Sequence, residues 1–73
     1  MEAFNVGEVK WQLIAERQLN LVGTKIVIVY IVGGFPYHVH RENACHGVSD
    51  SLEEAKKGAM IVVSEMLEMG VDP

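Results

Sequence analysis

The sequence has few of the features that hold a very small protein together or direct it out of the cell. Its one cysteine, Cys45, cannot form an internal disulfide, which favours synthesis in a reducing compartment. No apolar run reaches the ~18–20 residues of a membrane-spanning helix, and Met1–Phe4 lacks the cationic start of a signal peptide. We therefore expect a cytoplasmic protein, whose 73 residues suffice for one domain, residues 1–73, with a thin core.

Positive charge is also scarce. Ten acidic and six basic residues give a formal net charge of −4. The basic residues are scattered along the chain: Lys10, Arg17, Lys25, Arg41, Lys56 and Lys57. Because binding to a phosphate backbone needs several cations on one face, nucleic acid is not expected to be the main ligand.

The most distinctive stretch is the apolar run Ile26–Val32, seven consecutive β-branched or aromatic residues. Such residues favour a strand, and because both odd and even positions are apolar, both faces of this strand need cover. Gly33-Gly34 follows the run and predicts a two-residue type I′ hairpin. That register pairs Tyr30 with Tyr37.

Two further strands are predicted beside this central one. Alternating apolar and polar residues in Val9–Arg17 indicate a half-buried strand. A helical stripe is the alternative, formed by Trp11, Ile14, Ala15 and Leu19. Pro36 has no N–H to donate, so the strand after the hairpin is predicted to be a sheet edge near its start. Met1–Gly7 has no clear period and is either a frayed end or a short strand.

The last third of the chain predicts one helix. Ser51, followed three residues later by Glu54, forms a capping box, and Gly70 can end the helix after about Met69. The expected inner stripe is Leu52, Ala55, Ala59, Val62, Val63, Met66 and Met69. Three apolar residues are expected outside the stripe: Met60, Ile61 and Leu67. Gly58 in mid-helix indicates either close backbone contact or simple tolerance.

These elements predict an α+β fold. With Arg41–Gly47 interpreted as a loop, the predicted architecture is a three-stranded antiparallel meander with one C-terminal helix packed on a sheet face. The second sheet face is expected to be too apolar for solvent.

Imidazole and thiol groups come close together in the sequence at one place. His38 and His40 lie on the same side of a predicted strand, and Cys45 and His46 follow. These residue types bind zinc, but their spacing matches no zinc finger or ribbon. Adjacent Cys45 and His46 also lack the third group that would orient a nucleophile. We expect no metal, no other cofactor and no enzymatic activity.

A resemblance rests on the general character of the whole chain. Its length of 73 residues, its net negative charge, the single Cys45 and the order of strands followed by a helix are similar to small phage proteins that take over bacterial host machinery. The chain most resembles the family of small phage-encoded transcription regulators known from a Xanthomonas phage. The resemblance implies binding to host RNA polymerase at the N-terminal region of β′ and at the β flap. It further implies displacement of the σ factor, inhibition of initiation and, with the host factor NusA, antitermination.

Two other interpretations stay open. The chain could be a homodimeric structural module that pairs its apolar face with itself, or another phage protein directed at the host, such as an anti-CRISPR protein. In each case the expected activity is protein binding, either at a sheet edge or on an apolar face.

The predicted edge at Val9–Arg17 provides the candidate protein-binding residues. Lys10 and Arg17 are among the few cations and can pair with acidic groups of a partner. The full predicted set is Lys10, Trp11, Gln12, Arg17 and Arg41.

Overall fold

A computed structural model describes residues 7–73, and the prediction for the preceding residues 1–6 lies outside this part of the chain. The fold is α+β, with one antiparallel sheet followed by a C-terminal helix. The strands are β1 (Trp11–Ala15), β2 (Gln18–Leu21), β3 (Ile26–Tyr30), β4 (Tyr37–Arg41) and β5 (Ala44–Ser49), and the helix is α1 (Leu52–Glu68). The five strands follow the order β1-β2-β3-β4-β5, so the predicted class is confirmed and the predicted number of three strands is wrong.

The first five residues of the apolar run form the middle strand, β3, as predicted, whereas Ile31 and Val32 lie in the loop that follows it. Tyr30 pairs with Tyr37 and Ile28 pairs with Val39, and the two tyrosine rings meet edge to face with centroids 5.3 Å apart. Side chains alternate across a strand, so β3 places Ile26 and Ile28 in the core and Val27 and Val29, which are half-buried, on the opposite face.

The β3–β4 connection keeps the predicted register but opens wider than a two-residue turn. Gly33 and Gly34 both have positive φ, 103° and 55°, yet the paired ladder stops at Tyr30 and Tyr37. The N–H of Ile31 donates to the carbonyl oxygen of Pro36 at 2.7 Å. The nitrogen of Pro36 therefore faces β3 and cannot return a second bond, which leaves this pair half-made.

This geometry makes the prediction of an edge at Pro36 wrong. Because the proline nitrogen faces inwards, the outer side of β4 is available, and Tyr37 pairs there with Ser49 of β5. The segment predicted as a loop, Arg41–Gly47, is instead a tight turn at Glu42-Asn43 followed by most of β5. Glu42 has a φ of 57°, a conformation that glutamate rarely adopts.

The segment Val9–Arg17 is not one strand either. It holds β1 and then a turn at Glu16-Arg17, after which β2 returns antiparallel and lies between β1 and β3. Ile14, which breaks the alternation in the sequence, is an extra residue in β1, since Leu13 pairs with Leu19 and Ala15 pairs with Gln18. The helical alternative for this segment is wrong.

The helix begins and ends at its predicted signals. Ser51 is the N-cap, and its hydroxyl oxygen accepts the N–H of Glu54 at 3.2 Å. At the other end Gly70 has a φ of 73°, and its N–H donates to Leu67 while the N–H of Val71 donates to Met66. These two bonds are those of a Schellman motif.

The core lies between α1 and one face of the sheet. Its buried members are Leu21, Ile26, Ile28 and Val39 from the strands and Ala55, Ala59, Val62 and Val63 from the helix. Both alanines are fully buried, so the helix lies close to the sheet. Two predictions for this helix are wrong: Met60 packs against the core, and Met69 is 68% exposed.

The opposite face of the sheet is less apolar than predicted. It joins Val27 and Val29 with polar residues of the neighbouring strands: Gln18, Asn20, His38 and His40. The amide nitrogen of Asn20 donates to the carbonyl oxygens of Thr24 and Ile26, so the β2–β3 turn is stabilised from this face. A mixed surface of this kind is compatible with water.

The N-cap predicts a stability effect with a control on the same helix. Replacing Ser51 with Ala should lower the free energy of unfolding by about 0.5–2 kcal/mol, because the N–H of Glu54 loses its acceptor. Ser64→Ala, at an exposed position within the helix, should change it by less than about 0.5 kcal/mol. Urea denaturation measures both, and equal effects would contradict the cap assignment.

Two glycines predict opposite effects of one substitution. A Cβ at Gly58 or at Gly70 would meet no atom within 4 Å, so close contact does not explain Gly58. Gly58→Ala should therefore raise the free energy of unfolding by about 0.5–1 kcal/mol through helix propensity. Gly70→Ala should lower it by about 1 kcal/mol, because φ is positive there. Thermal or urea unfolding of the two variants checks the contrast, and a loss of stability in both would contradict it.

Candidate functional site

The helix leaves part of the sheet uncovered on its own side. It contacts β3, β4 and β5, while the β1–β2 hairpin extends past it. Between this hairpin and the start of the helix lies an open groove of about 240 Å³. The groove is lined by six apolar or aromatic residues, Leu13, Leu19, Ile28, Tyr30, Tyr37 and Leu52, and by Glu16, Arg17 and Gln18.

The groove combines apolar walls with one cation. Leu13 is 65% exposed and Tyr30 is 38% exposed, a large exposure for side chains that point towards a core. The guanidinium of Arg17 lies over the Tyr30 ring, 5.9 Å from its centroid, within the range of a cation–π contact. The backbone oxygen of Arg17 also accepts the N–H of Tyr30 at 2.9 Å, so the turn that carries this cation is held against β3.

The groove adjoins a sheet edge. β1 is the first strand of the sheet, and among residues 7–73 no strand pairs with its outer side. An edge strand presents backbone donors and acceptors to a partner. An extended peptide could therefore pair with β1 while one of its side chains enters the groove.

The predicted binding residues do not form one surface: those near β1 lie on both faces of the sheet, and Arg41 lies in β4. Trp11 is half-buried on the helix side of β1, where Lys56 Nζ lies 5.9 Å from its ring centroid. Gln12 pairs with Asn20 and so lies on the opposite face. Lys10 is exposed just before β1. Of the predicted set, only Arg17 lines the groove.

Arg41 has a structural role at the far side of the sheet. Its guanidinium donates from Nε to the backbone oxygen of Pro73 at 3.3 Å and from a terminal nitrogen to the backbone oxygen of Asp72 at 2.8 Å. The N–H of Lys25 donates to the same Pro73 oxygen at 3.0 Å. These bonds tie the segment after the helix to the sheet, so Arg41 is already engaged and is a poor candidate for partner binding.

One carboxyl group beside Arg41 is electrostatically perturbed. Lys25 Nζ lies 3.0 Å from a carboxylate oxygen of Glu42. This hydrogen-bonded ion pair, together with the charge of Arg41, lowers the pKa of the Glu42 carboxyl from its usual 4.5. Both side chains are more than half exposed, and exposed pairs contribute little to stability. The pair lies at an unusual turn and is not a candidate site.

Imidazoles and a thiol meet on the other face of the sheet. Ligand atoms of His38, His40 and Cys45 all lie within 4.8 Å of one another. The pairing of His40 with Cys45 creates this cluster, and the sequence spacing did not predict it. His46, the fourth residue considered from the sequence, is not a member.

The apolar groove residues were not predicted as a binding site: Leu52 was expected in the inner stripe of the helix, and Leu13 in a half-buried strand. The position of Leu13 in the alternation fits a residue that faces the core. No sequence feature shows that the helix leaves it uncovered. The extra residue Ile14 was the available signal, because it marked a bulge at the end of an edge strand.

The fold and groove define a small α+β protein with an uncovered apolar surface beside an edge strand. Comparison with protein-family models, with curated proteins and with solved structures finds no match to this chain. Within residues 7–73, no helix combines the length and apolar character that crossing a lipid bilayer requires.

The engagement of Arg41 predicts a stability effect. Arg41→Met should lower the free energy of unfolding by about 1 kcal/mol, because two backbone oxygens lose a charged donor. Lys57→Met, at an exposed helix position, is the control and should change it by less than about 0.5 kcal/mol. Urea denaturation measures both. An unchanged Arg41→Met variant would contradict the anchoring role.

Proposed function

We propose that this protein is a non-enzymatic regulator that acts by binding another protein. The observation that supports the proposal is the groove beside β1, which leaves Leu13 65% exposed although it points to the helix side of the sheet. Water contact with an apolar side chain at such a position is unfavourable, and apolar surface of this kind is typical of an interaction site.

The groove suggests how a partner would bind. An apolar side chain of the partner would fill the space above Ile28 and Leu52, two of the groove residues. An acidic group would pair with Arg17, the cation of the groove. Backbone atoms of the partner could add a strand to β1. These three contacts favour an extended, partly acidic segment as the bound element.

We further propose bacterial RNA polymerase as the partner, on the strength of the resemblance to phage-encoded transcription regulators. In this proposal the protein binds the N-terminal region of β′ and the β flap and displaces the σ factor, which inhibits initiation. Together with NusA it would promote antitermination. The net charge of −4 supports a protein as the target in preference to DNA, because DNA would repel it.

The decisive experiment compares two matched double variants. Leu13→Gln with Arg17→Glu removes an exposed apolar residue and reverses a charge at the groove. Ile61→Gln with Lys57→Glu makes the same two changes on the outer side of the helix, where Ile61 is 60% exposed. Binding to purified RNA polymerase and inhibition of σ-dependent transcription are measured for both, and circular dichroism checks that both fold.

The groove variant should bind polymerase at least ~10-fold more weakly, a loss of about 1.4 kcal/mol, while the helix variant should bind like the original protein. The reverse result would place the binding surface on the outer side of the helix. If the unmodified protein does not bind polymerase, that partner is wrong. Sedimentation then tests the homodimer, because a dimer that the groove variant dissociates would assign the same surface to self-association.

A further inference from the structure

The alternation of side chains along β4 brings two histidines together on the face of the sheet opposite the helix. His38 and His40 are two residues apart, and their rings stack with centroids 6.0 Å apart and an interplanar angle of 23°. Neighbours at this spacing on a strand share a face. Two imidazoles are thus held side by side by the strand itself, without any loop.

A β-bulge adds the thiol to this pair. Val39 pairs with Gly47, but the next residue, His40, pairs with Cys45, so β5 holds one extra residue, His46, at this point. Without the bulge, His46 would lie opposite His40. Residues directly opposite share a face, so the bulge places Cys45 beside His40 and removes His46 from that position. Bulges commonly re-aim side chains in this way at functional sites.

The surroundings of the two imidazoles suit metal binding: one has a hydrogen-bond partner that can orient it, and the other has a buried nitrogen without a partner. His38 Nε2 lies 2.9 Å from the carbonyl oxygen of Phe35. If this nitrogen donates, Nδ1 keeps a free lone pair, and a second-shell bond of this type normally orients a histidine ligand. His40 Nε2 is buried and finds no hydrogen-bond partner among residues 7–73. A buried polar atom without a partner is costly, and coordination to an ion would remove that cost.

We propose that His38, His40 and Cys45 form a binding site for a zinc ion. Imidazole and thiolate are both zinc ligands, and a site with three protein ligands keeps a fourth position open to water. Ligand atoms of a tetrahedral zinc site lie about 3.3–3.8 Å apart, given bonds of about 2.0–2.3 Å. The atoms here lie within 4.8 Å of one another, so the distances between them would have to shorten by no more than about 1–1.5 Å to reach zinc geometry.

Binding changes the protonation of one group. The thiol of Cys45 lies 3.6 Å from the backbone oxygen of Gly47, to which it donates. On binding, its S–H bond breaks, the proton passes to solvent, and the sulfur lone pair forms the bond to zinc. This proposal replaces the expectation of no metal, which rested on sequence spacing. It does not depend on the proposed polymerase binding, because the groove lies on the other face of the sheet.

The site can be tested with the metal alone. Zinc binding to the whole protein is measured by titration calorimetry, and Co²⁺ is used as a coloured probe whose thiolate bond gives a charge-transfer absorption. The variants are His38→Gln, His40→Gln and Cys45→Ser. His46→Gln is the matched control, since it removes an adjacent imidazole that the structure excludes from the site.

Each of the three ligand variants should weaken zinc binding by more than the ~10–100-fold that the loss of a second-shell partner costs, and Cys45→Ser should abolish the cobalt–thiolate absorption. His46→Gln should bind zinc as the original protein does. In the unmodified protein, zinc should shift the imidazole NMR signals of His38 and His40 and leave those of His46 nearly unchanged. That measurement needs no variant to fold. Unshifted signals, an absent cobalt–thiolate band, or an equal loss in His46→Gln would overturn the proposal.

Discussion

Within residues 7–73, one helix has to cover a five-stranded sheet, and its limited width determines where the remaining surface lies. Adjacent strands are about 4.8 Å apart, so the outer strands are separated by about 19 Å, whereas a helix with its side chains is about 10 Å wide. Ala55 and Ala59 let the helix approach closely, which strengthens packing on β3–β5 but does not widen its cover. Leu21 of the β1–β2 hairpin is still buried, and Trp11 and Leu19 pack against the core. Leu13, near the turn, stays 65% exposed, and the groove is the result.

The parts of the fold that local chemistry determines were predictable from the sequence. The β-branched run specifies β3, Ser51 specifies the helix start, and Gly70 specifies its end. Each of these residues has a conformational or hydrogen-bonding property that few alternatives share. The helical period predicted which helix residues face the core. This prediction was wrong mainly at Met69, which is the C-cap residue and lies beyond the last helical turn.

The parts that went wrong depend on two turns with few of the usual turn residues, Asn43 being the exception. The β1–β2 turn is Glu16-Arg17, and the β4–β5 turn places Glu42 at a φ of 57°, where glycine or asparagine is expected. Bonds from distant segments meet both turns: Lys25 pairs with Glu42, and Tyr30 donates to Arg17. Because those bonds join residues distant in sequence, no local pattern shows them. Two missed turns account for the two missing strands, and with them for the missed groove and for the unforeseen pairing of His40 with Cys45.

Strand β4 connects the two candidate sites through its alternation. Tyr37 lines the groove, and the next residue, His38, belongs to the metal cluster on the other face. A shift of one residue in the pairing of β4 would exchange these faces and destroy both sites. The bulge at His46 lies in β5, beyond the pair Val39–Gly47, so it redirects Cys45 while β4 keeps its register with β3. The bulge that brings Cys45 beside His40 therefore leaves the groove side of the sheet intact, and the two surfaces can act separately.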